Sequence, residues 1–414
     1  MIAPASRRSF FRAVAGGAAL SGFAASLAAA SSDAGRWQAV RKQFAFSEDK
    51  VPLNAANLCP SPRAVAERVA ELTADIDLDC SFQNRAKFAE LLEESRAKVA
   101  KQMGVTLDEI ALVRNTSESN NIINNGVPLA AGDEVVLWEQ NHPTNNVAWE
   151  VRARRFGITV KKVSTPAAPK SIDDLVEPFA QAIGPKTKVL SITHASNLTG
   201  VRLPAKEIIT MAKARGLYVH VDGAQSWGAL NVNLRELGCD SYSASAHKWF
   251  CGPKEVGLLY IKADNVAKLW PTEVAPGWGD TADTTLVGAR KFESMGQRDD
   301  SALAAVGPTV DVHAAIGQAA VEQRMLDLAT RLKEGLHEAG ARLVTPMERE
   351  LSAGVVIMDV PADNRQKLLD ALYLQHGIAG ATTGGLRLCP HLYNTTEHVD
   401  RAIAGVKKHR DLWA

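Results

Sequence analysis

Four short apolar runs constrain this chain most: Glu134–Trp138, Lys188–Ile192, Leu217–Val221 and Val256–Ile261. Each is nearly continuous in Val, Leu and Ile instead of alternating, the pattern of a strand covered on both faces. Segments with helical spacing, such as Pro204–Arg215, separate them. Strands that alternate with helices along a chain form a mostly parallel sheet with helices on both sides. The expectation is a large α/β domain over residues 61–295.

Beyond residue 300 the pattern changes. Helical spacing over about 308–339 and 364–376 flanks short runs at Arg342–Val344 and Gly354–Met358, which predicts a smaller α+β domain over 296–414. Two domains suit 414 residues, too many for one small core. Residues 31–60 carry little periodicity and read as an N-terminal arm. Ahead of them, Ser6-Arg7-Arg8-Ser9-Phe10-Phe11-Arg12 leads into a soft apolar run, Ala13–Leu27, and then Ala28-Ala29-Ala30. A charged start, an apolar stretch and small residues at a cleavage site describe a signal peptide over 1–30. The arginine pair resembles the twin-arginine export signal, which implies a periplasmic address and the export machinery as a partner. The run is too short and too rich in Gly and Ala for a good spanning helix.

Other classes are excluded. Net charge is +1 with no Lys/Arg block, against the basic surface that nucleic acid requires. The five cysteines, Cys59, Cys80, Cys239, Cys251 and Cys389, are odd in number and unpaired in spacing, a poor disulfide framework. With neither Cys-x-x-Cys nor His-Glu-x-x-His, a metal site has no support. A nucleotide-binding α/β protein would need a Gly-x-Gly-x-x-Gly or Walker loop at a strand end, and none is present.

Ligands of open α/β sheets sit beyond the C-terminal ends of the strands. Three polar clusters belong there. Arg114-Asn115-Thr116-Ser117-Glu118 opens a helical segment, where free N–H groups and hydroxyls suit a phosphate. Val221-Asp222-Gly223-Ala224-Gln225 puts a carboxylate after a buried strand, where it needs a cationic or hydrogen-bonding partner such as a protonated pyridine nitrogen. Ser245-Ala246-His247-Lys248 puts a lysine among small and aromatic residues, a setting that lowers an ammonium pKa and frees a nucleophilic amine. Taken singly, a helix cap explains the first better, a capping Asp explains the second equally well, and most lysines are merely solvated.

Taken together the clusters are specific. The stretch from His220-Val221-Asp222-Gly223-Ala224-Gln225 through Leu237-Gly238-Cys239-Asp240 to Ser245-Ala246-His247-Lys248 and Gly252-Pro253 resembles the central signature of the class V aminotransferases. That resemblance covers nearly the whole chain after the signal. It implies the PLP-dependent transferase fold type I, α/β, with a mostly parallel seven-stranded-type large domain. It also implies pyridoxal 5'-phosphate (PLP) as cofactor, carried on Lys248 as an imine. Asp222 would pair with the pyridinium nitrogen, Gln225 would contact the ring hydroxyl, and His142 in Asn141-His142-Pro143 would stack on the ring. Asn197 in Ser196-Asn197-Leu198-Thr199-Gly200 would lie near the ring hydroxyl and substrate. Thr116, Ser117, Ser245 and His247 would form the phosphate cup. Arg387, in Gly385-Leu386-Arg387-Leu388-Cys389-Pro390, would hold a substrate α-carboxylate in a bidentate fork.

The resemblance also bears on the reaction. Cysteine desulfurases of the family need a mobile nucleophilic cysteine some way before the carboxylate arginine. Here Gly377-Ile378-Ala379-Gly380-Ala381-Thr382-Thr383-Gly384 runs into Arg387 without one, and Cys389 reads as a packed residue. Phe292-Glu293-Ser294-Met295-Gly296-Gln297-Arg298-Asp299 resembles a segment of isopenicillin N epimerase-like members. Gln297 stands in place of a threonine that reaches the phosphate of the neighbouring subunit, which implies a homodimer. The expected substrate is a small-molecule or peptide-like amine, altered by epimerisation, amino transfer or decarboxylation, with a C–S lyase as the alternative. A non-catalytic binding protein would have lost Lys248 or Asp222, and both are present.

Overall fold

The structure is a computed structural model that describes residues 21–275 and 287–414. The arginine pair in Ser6–Arg12 lies outside the described residues. Residues 21–28 are helical, and Phe23 is buried in one apolar cluster with Trp37, Val40 and Ile316.

The arm at 31–60 holds more order than its sequence suggests: helix α1 (Asp33–Arg41) and a two-residue strand, β1 (Val51–Pro52). The main sheet comprises β2 (Ile110–Val113), β3 (Glu134–Trp138), β4 (Thr159–Val163), β5 (Thr187–Thr193), β6 (Tyr218–Asp222), β7 (Ser241–Ser245) and β8 (Gly257–Ile261). Its seven strands are ordered β2-β8-β7-β6-β5-β3-β4. Only β8 runs antiparallel to its neighbours, β2 and β7; the other pairings are parallel. Every strand except β8 therefore ends at the same edge. The expected α/β, mostly parallel seven-stranded fold is present.

Three of these strands escape an apolar-run search for different reasons. β2 is only four residues long, and β4, an edge strand, leaves two lysines out to solvent. β7 reads Ser-Tyr-Ser-Ala-Ser, yet it is buried throughout near the middle of the sheet. Successive side chains of a strand alternate between faces. Tyr242 and Ala244 join the apolar core, while Ser241, Ser243 and Ser245 spend their hydroxyls on His220, Asn120 and Thr116. A strand can be polar at its centre when each polar atom has a partner.

Helices α2 (Lys87–Met103), α3 (Thr116–Gly126) and α4 (Pro143–Phe156) cover the sheet with others. Helix α5 (Val306–Ile316) lies past the expected boundary near residue 296 but packs on α2, with Val306 and Val310 in the large domain's core. The C-terminal unit adds α6 (Gln318–Glu338), β9 (Val356–Met358), α7 (Arg365–His376), β10 (Ile378–Ala379), β11 (Leu386–Leu388) and α8 (Thr396–Lys408). β11 pairs antiparallel with β9, and β10 pairs with β1 of the arm, so the arm is stitched onto the C-terminal unit.

Among the imidazoles buried in this fold are His220, His313 and His391. Burial pulls His220 and His391 down to about 3 and His313 down to about 4, so all three are neutral when folded. In the unfolded chain each would titrate near 6.5. Below that pH the unfolded state binds more protons, so stability falls on acidification, by up to about 1.4 kcal/mol per pH unit for each imidazole between about 6.5 and 4. Urea unfolding at pH 7 and pH 5 should show a clear drop at pH 5. Equal stability at both pH values would contradict the burial of neutral imidazoles.

Candidate active site

The shared strand edge collects the polar clusters. The chain leaves β2 at Val113 and starts α3 at Thr116, with Asn115 as the cap: its Oδ1 accepts from the Glu118 N–H at 3.0 Å. This turn passes over the first residue of β8, Gly257. A Cβ there would lie 2.7 Å from the backbone of Asn115, so only glycine admits the crossing. The crossing brings Thr116 to the end of β7, where its N–H donates to Ser245 Oγ at 2.8 Å and the two hydroxyls stand 2.6 Å apart. The first turn of α3 is thus aimed at the cavity with hydroxyls beside it, the geometry that receives an anion.

Asp222 ends β6 and is 1% exposed. Its Oδ1 accepts from the Ala224 N–H at 3.0 Å, and its Oδ2 from Asn120 Nδ2 at 2.9 Å. Gly223 makes the tight exit possible, since a Cβ would fall 1.9 Å from the Tyr242 ring.

Lys248 sits in a segment held from many sides. The Trp249 and Phe250 carbonyls accept from His391 Nε2 at 2.6 Å and from His313 Nε2 at 2.8 Å. The Phe250 ring is stacked between Trp227 and His313, with centroids at 3.9 and 4.9 Å. The Cys59 N–H donates to the His247 carbonyl at 2.8 Å. Burial lowers the affinity of Lys248 for its proton; the Asp222 carboxylate opposes this and the Arg387 guanidinium adds to it. The result is an amine more readily neutral than a solvated lysine.

These groups line one cavity of about 210 Å³: Thr116, Ser117, His142, Asp222, Ser245, His247 and Lys248, all expected from sequence, with Asn115, Asn120, Thr144 and Ala224. His142 caps α4, and its Nδ1 accepts from the Thr144 N–H at 3.3 Å. Burial first, then Lys248, lowers its pKa, and burial likewise brings His247 down to about 4.

Other expected residues are placed differently. Gln225 is outside the cavity lining and spends its amide within the chain: Nε2 donates to the Ala56 carbonyl at 3.1 Å and Oε1 accepts from Trp249 Nε1 at 2.6 Å. It braces the lysine segment against the arm. Gln297 and Arg298 also bond within the chain, Gln297 with Arg85 and Arg298 with the Leu112 carbonyl. Arg387 is buried on β11; Nη1 donates to the Asn197 carbonyl and Nη2 to Asn54 Oδ1, each at 3.2 Å, while Nε has no partner. Asn54 comes from the arm and carried no signal of its own. Cys389 is fully buried with its thiol pKa pushed up by that burial, and no cysteine lines the cavity.

The profile of the family described as aminotransferase class-V matches residues 62–402. The chain belongs to that family. It is 30% identical over 391 residues to the isopenicillin N epimerase of Amycolatopsis lactamdurans, covering 90% of this chain and 98% of that protein. It is 30% identical over 346 residues to a cysteine desulfurase of Yersinia pestis, covering 78% and 83% respectively. Among solved structures, a C-DES variant with glycine covalently linked to the PLP cofactor superposes with a TM-score of 0.81 at 23% identity, covering 89% of this chain and 98% of that one, a likeness of fold.

The cofactor of this class-V enzyme is PLP, and the cavity suits it. A primary amine, a buried carboxylate, an imidazole and a helix N-terminus with hydroxyls are the groups that PLP's carbonyl, ring nitrogen, ring face and phosphate require. The unpaired buried Nδ1 of His247 is a further polar atom awaiting a partner there.

Proposed function

We propose that this enzyme acts at the α-carbon of an amino acid or peptide-like amine bearing a free carboxylate, removing and returning a proton as an epimerase does. The observation that carries this reading is Arg387: a buried guanidinium, close enough to depress the proton affinity of Lys248, with an unpaired Nε. A guanidinium in that position is the natural partner of a substrate carboxylate, and a fork-like pair would fix which bonds of the α-carbon face the cofactor. Bound PLP supplies the electron sink. Lys248 is the group placed to take the proton and give it back, because burial keeps its amine available as a base.

Sulfur transfer is disfavoured. The link from β10 to β11 spans only residues 380–385 and holds no cysteine, so it offers no thiol acceptor, and Cys389 beyond it is packed. Likeness to the Amycolatopsis epimerase over nearly its full length supports the epimerase-like reading.

We further propose that the enzyme is exported, on the Arg7-Arg8 pattern, and that a second copy brings its Gln297 region to the site. A mature dimer in the osmotic-shock fraction is expected; a cytoplasmic monomer would contradict both.

The reaction is tested with amino acids and short peptides in deuterated buffer, following α-hydrogen exchange and the appearance of the opposite enantiomer. Arg387→Gln should raise KM about tenfold to a hundredfold for free carboxylates, the effect of losing a charge-assisted pair, and should leave α-amide substrates little changed. Equal losses for both classes would sink the carboxylate role, and exclusive release of keto acid or sulfide would replace epimerisation.

A further inference from the structure

Behind Asp222 lies a chain of buried polar groups that no step above uses. Asn120, one turn into α3, is 2% exposed, His220 on β6 is 0% exposed, and Ser241 and Ser243 on β7 are 0% exposed. Asn120 Nδ2 donates to Asp222 Oδ2 at 2.9 Å. Its Oδ1 is then turned towards His220 Nε2, also at 2.9 Å, and accepts from Ser243 Oγ at 2.5 Å. The ring's other nitrogen, Nδ1, stands 2.8 Å from Ser241 Oγ.

The protons of this chain follow from its valences. A carboxylate only accepts, so the Asn120 amide nitrogen must face Asp222 and its carbonyl must face His220. A carbonyl only accepts, so His220 carries its proton on Nε2. With burial holding the imidazole neutral, its Nδ1 must accept from the Ser241 hydroxyl. Every donor therefore points the same way, from Ser241 through His220 and Asn120 to Asp222. Hydrogen bonds in such a series polarise one another. The free oxygen surface of Asp222 is left towards the cavity that it lines with Lys248.

We propose that Asn120 and His220 are positioning residues that hold Asp222 as an oriented, ionised partner for the ring nitrogen of PLP, and so set how tightly that nitrogen keeps its proton. The inference rests on the cofactor, not on which substrate bond breaks. Asn120 lines the cavity but spends its amide on Asp222, His220 and Ser243, and His220 lies outside the lining; both act through Asp222. The alternative is a purely structural network that satisfies the polar centre of β7.

The test uses full-length protein loaded with PLP isotope-labelled at the ring nitrogen and read by nitrogen NMR across pH. Asn120→Leu removes the donor to Asp222 at similar volume and should lower the proton affinity of the ring nitrogen about tenfold to a hundredfold. PLP should also be lost faster on dialysis. His220→Phe should give a smaller shift in the same direction. His220→Gln, which can again donate to Asn120 Oδ1, should restore the signal. If N120L does not fold, the H220F and H220Q pair decides. Folded N120L or H220F protein with the unchanged ring-nitrogen titration would overturn the proposal, and so would an H220F shift that H220Q fails to reverse. Failure of the unmodified protein to bind PLP would instead overturn the cofactor assignment.

Discussion

A carboxylate buried at the end of a central strand is the constraint on which the rest of this structure depends. Asp222 is 1% exposed, and an ionised group in such a place is sustained only by donors and an opposite charge. The fold supplies donors from two sides, the Ala224 N–H and the Asn120 amide. Lys248 shares the cavity, and its pKa registers the attraction of Asp222 against the larger effect of burial. The demand of Asp222 for donors also explains the composition of β7. A run of serines in mid-sheet is tolerable because the network that supports Asp222 absorbs their hydroxyls.

How legible the fold was depended on what each strand buries. β3, β5 and β8 bury aliphatic side chains on both faces and could be read as apolar runs; β6 could be read from Val219 and Val221 on one face, its other face carrying His220 and Asp222. β7 could not, because its face towards α3 is polar and its apolar face holds only Tyr242 and Ala244. The division near residue 296 followed a change of sequence pattern. Yet α5, beyond it, buries Val306 and Val310 in the core shared with α2, and Val312 and Ile316 in a cluster with Leu392 and Tyr393. The arm lacked periodicity because its order comes from distant partners, β10 beside β1 and the Lys248 segment beside Cys59.

The site was legible where residue type and position at a strand end coincide. Thr116, Ser117, His142, Asp222, Ser245, His247 and Lys248 converge on one cavity as their places after β2, β3, β6 and β7 require. Gln225 has the right address but its amide faces Ala56 and Trp249, and no local pattern tells which way an amide turns. Asn54 and Asn120 were invisible for a related reason. Each matters through one long-range contact, to Arg387 and to Asp222, and a lone asparagine in an arm or a helix carries no such signal.

The central claim is that Lys248 and Asp222 form one cofactor site, with Lys248 as the residue that carries PLP. The direct measurement is borohydride reduction of the PLP-loaded protein followed by peptide mass spectrometry. The account predicts a single phosphopyridoxyl group on Lys248, in the peptide containing Trp249, and its absence in Lys248→Ala. Label on another lysine, or none on protein that has been given PLP, would contradict it.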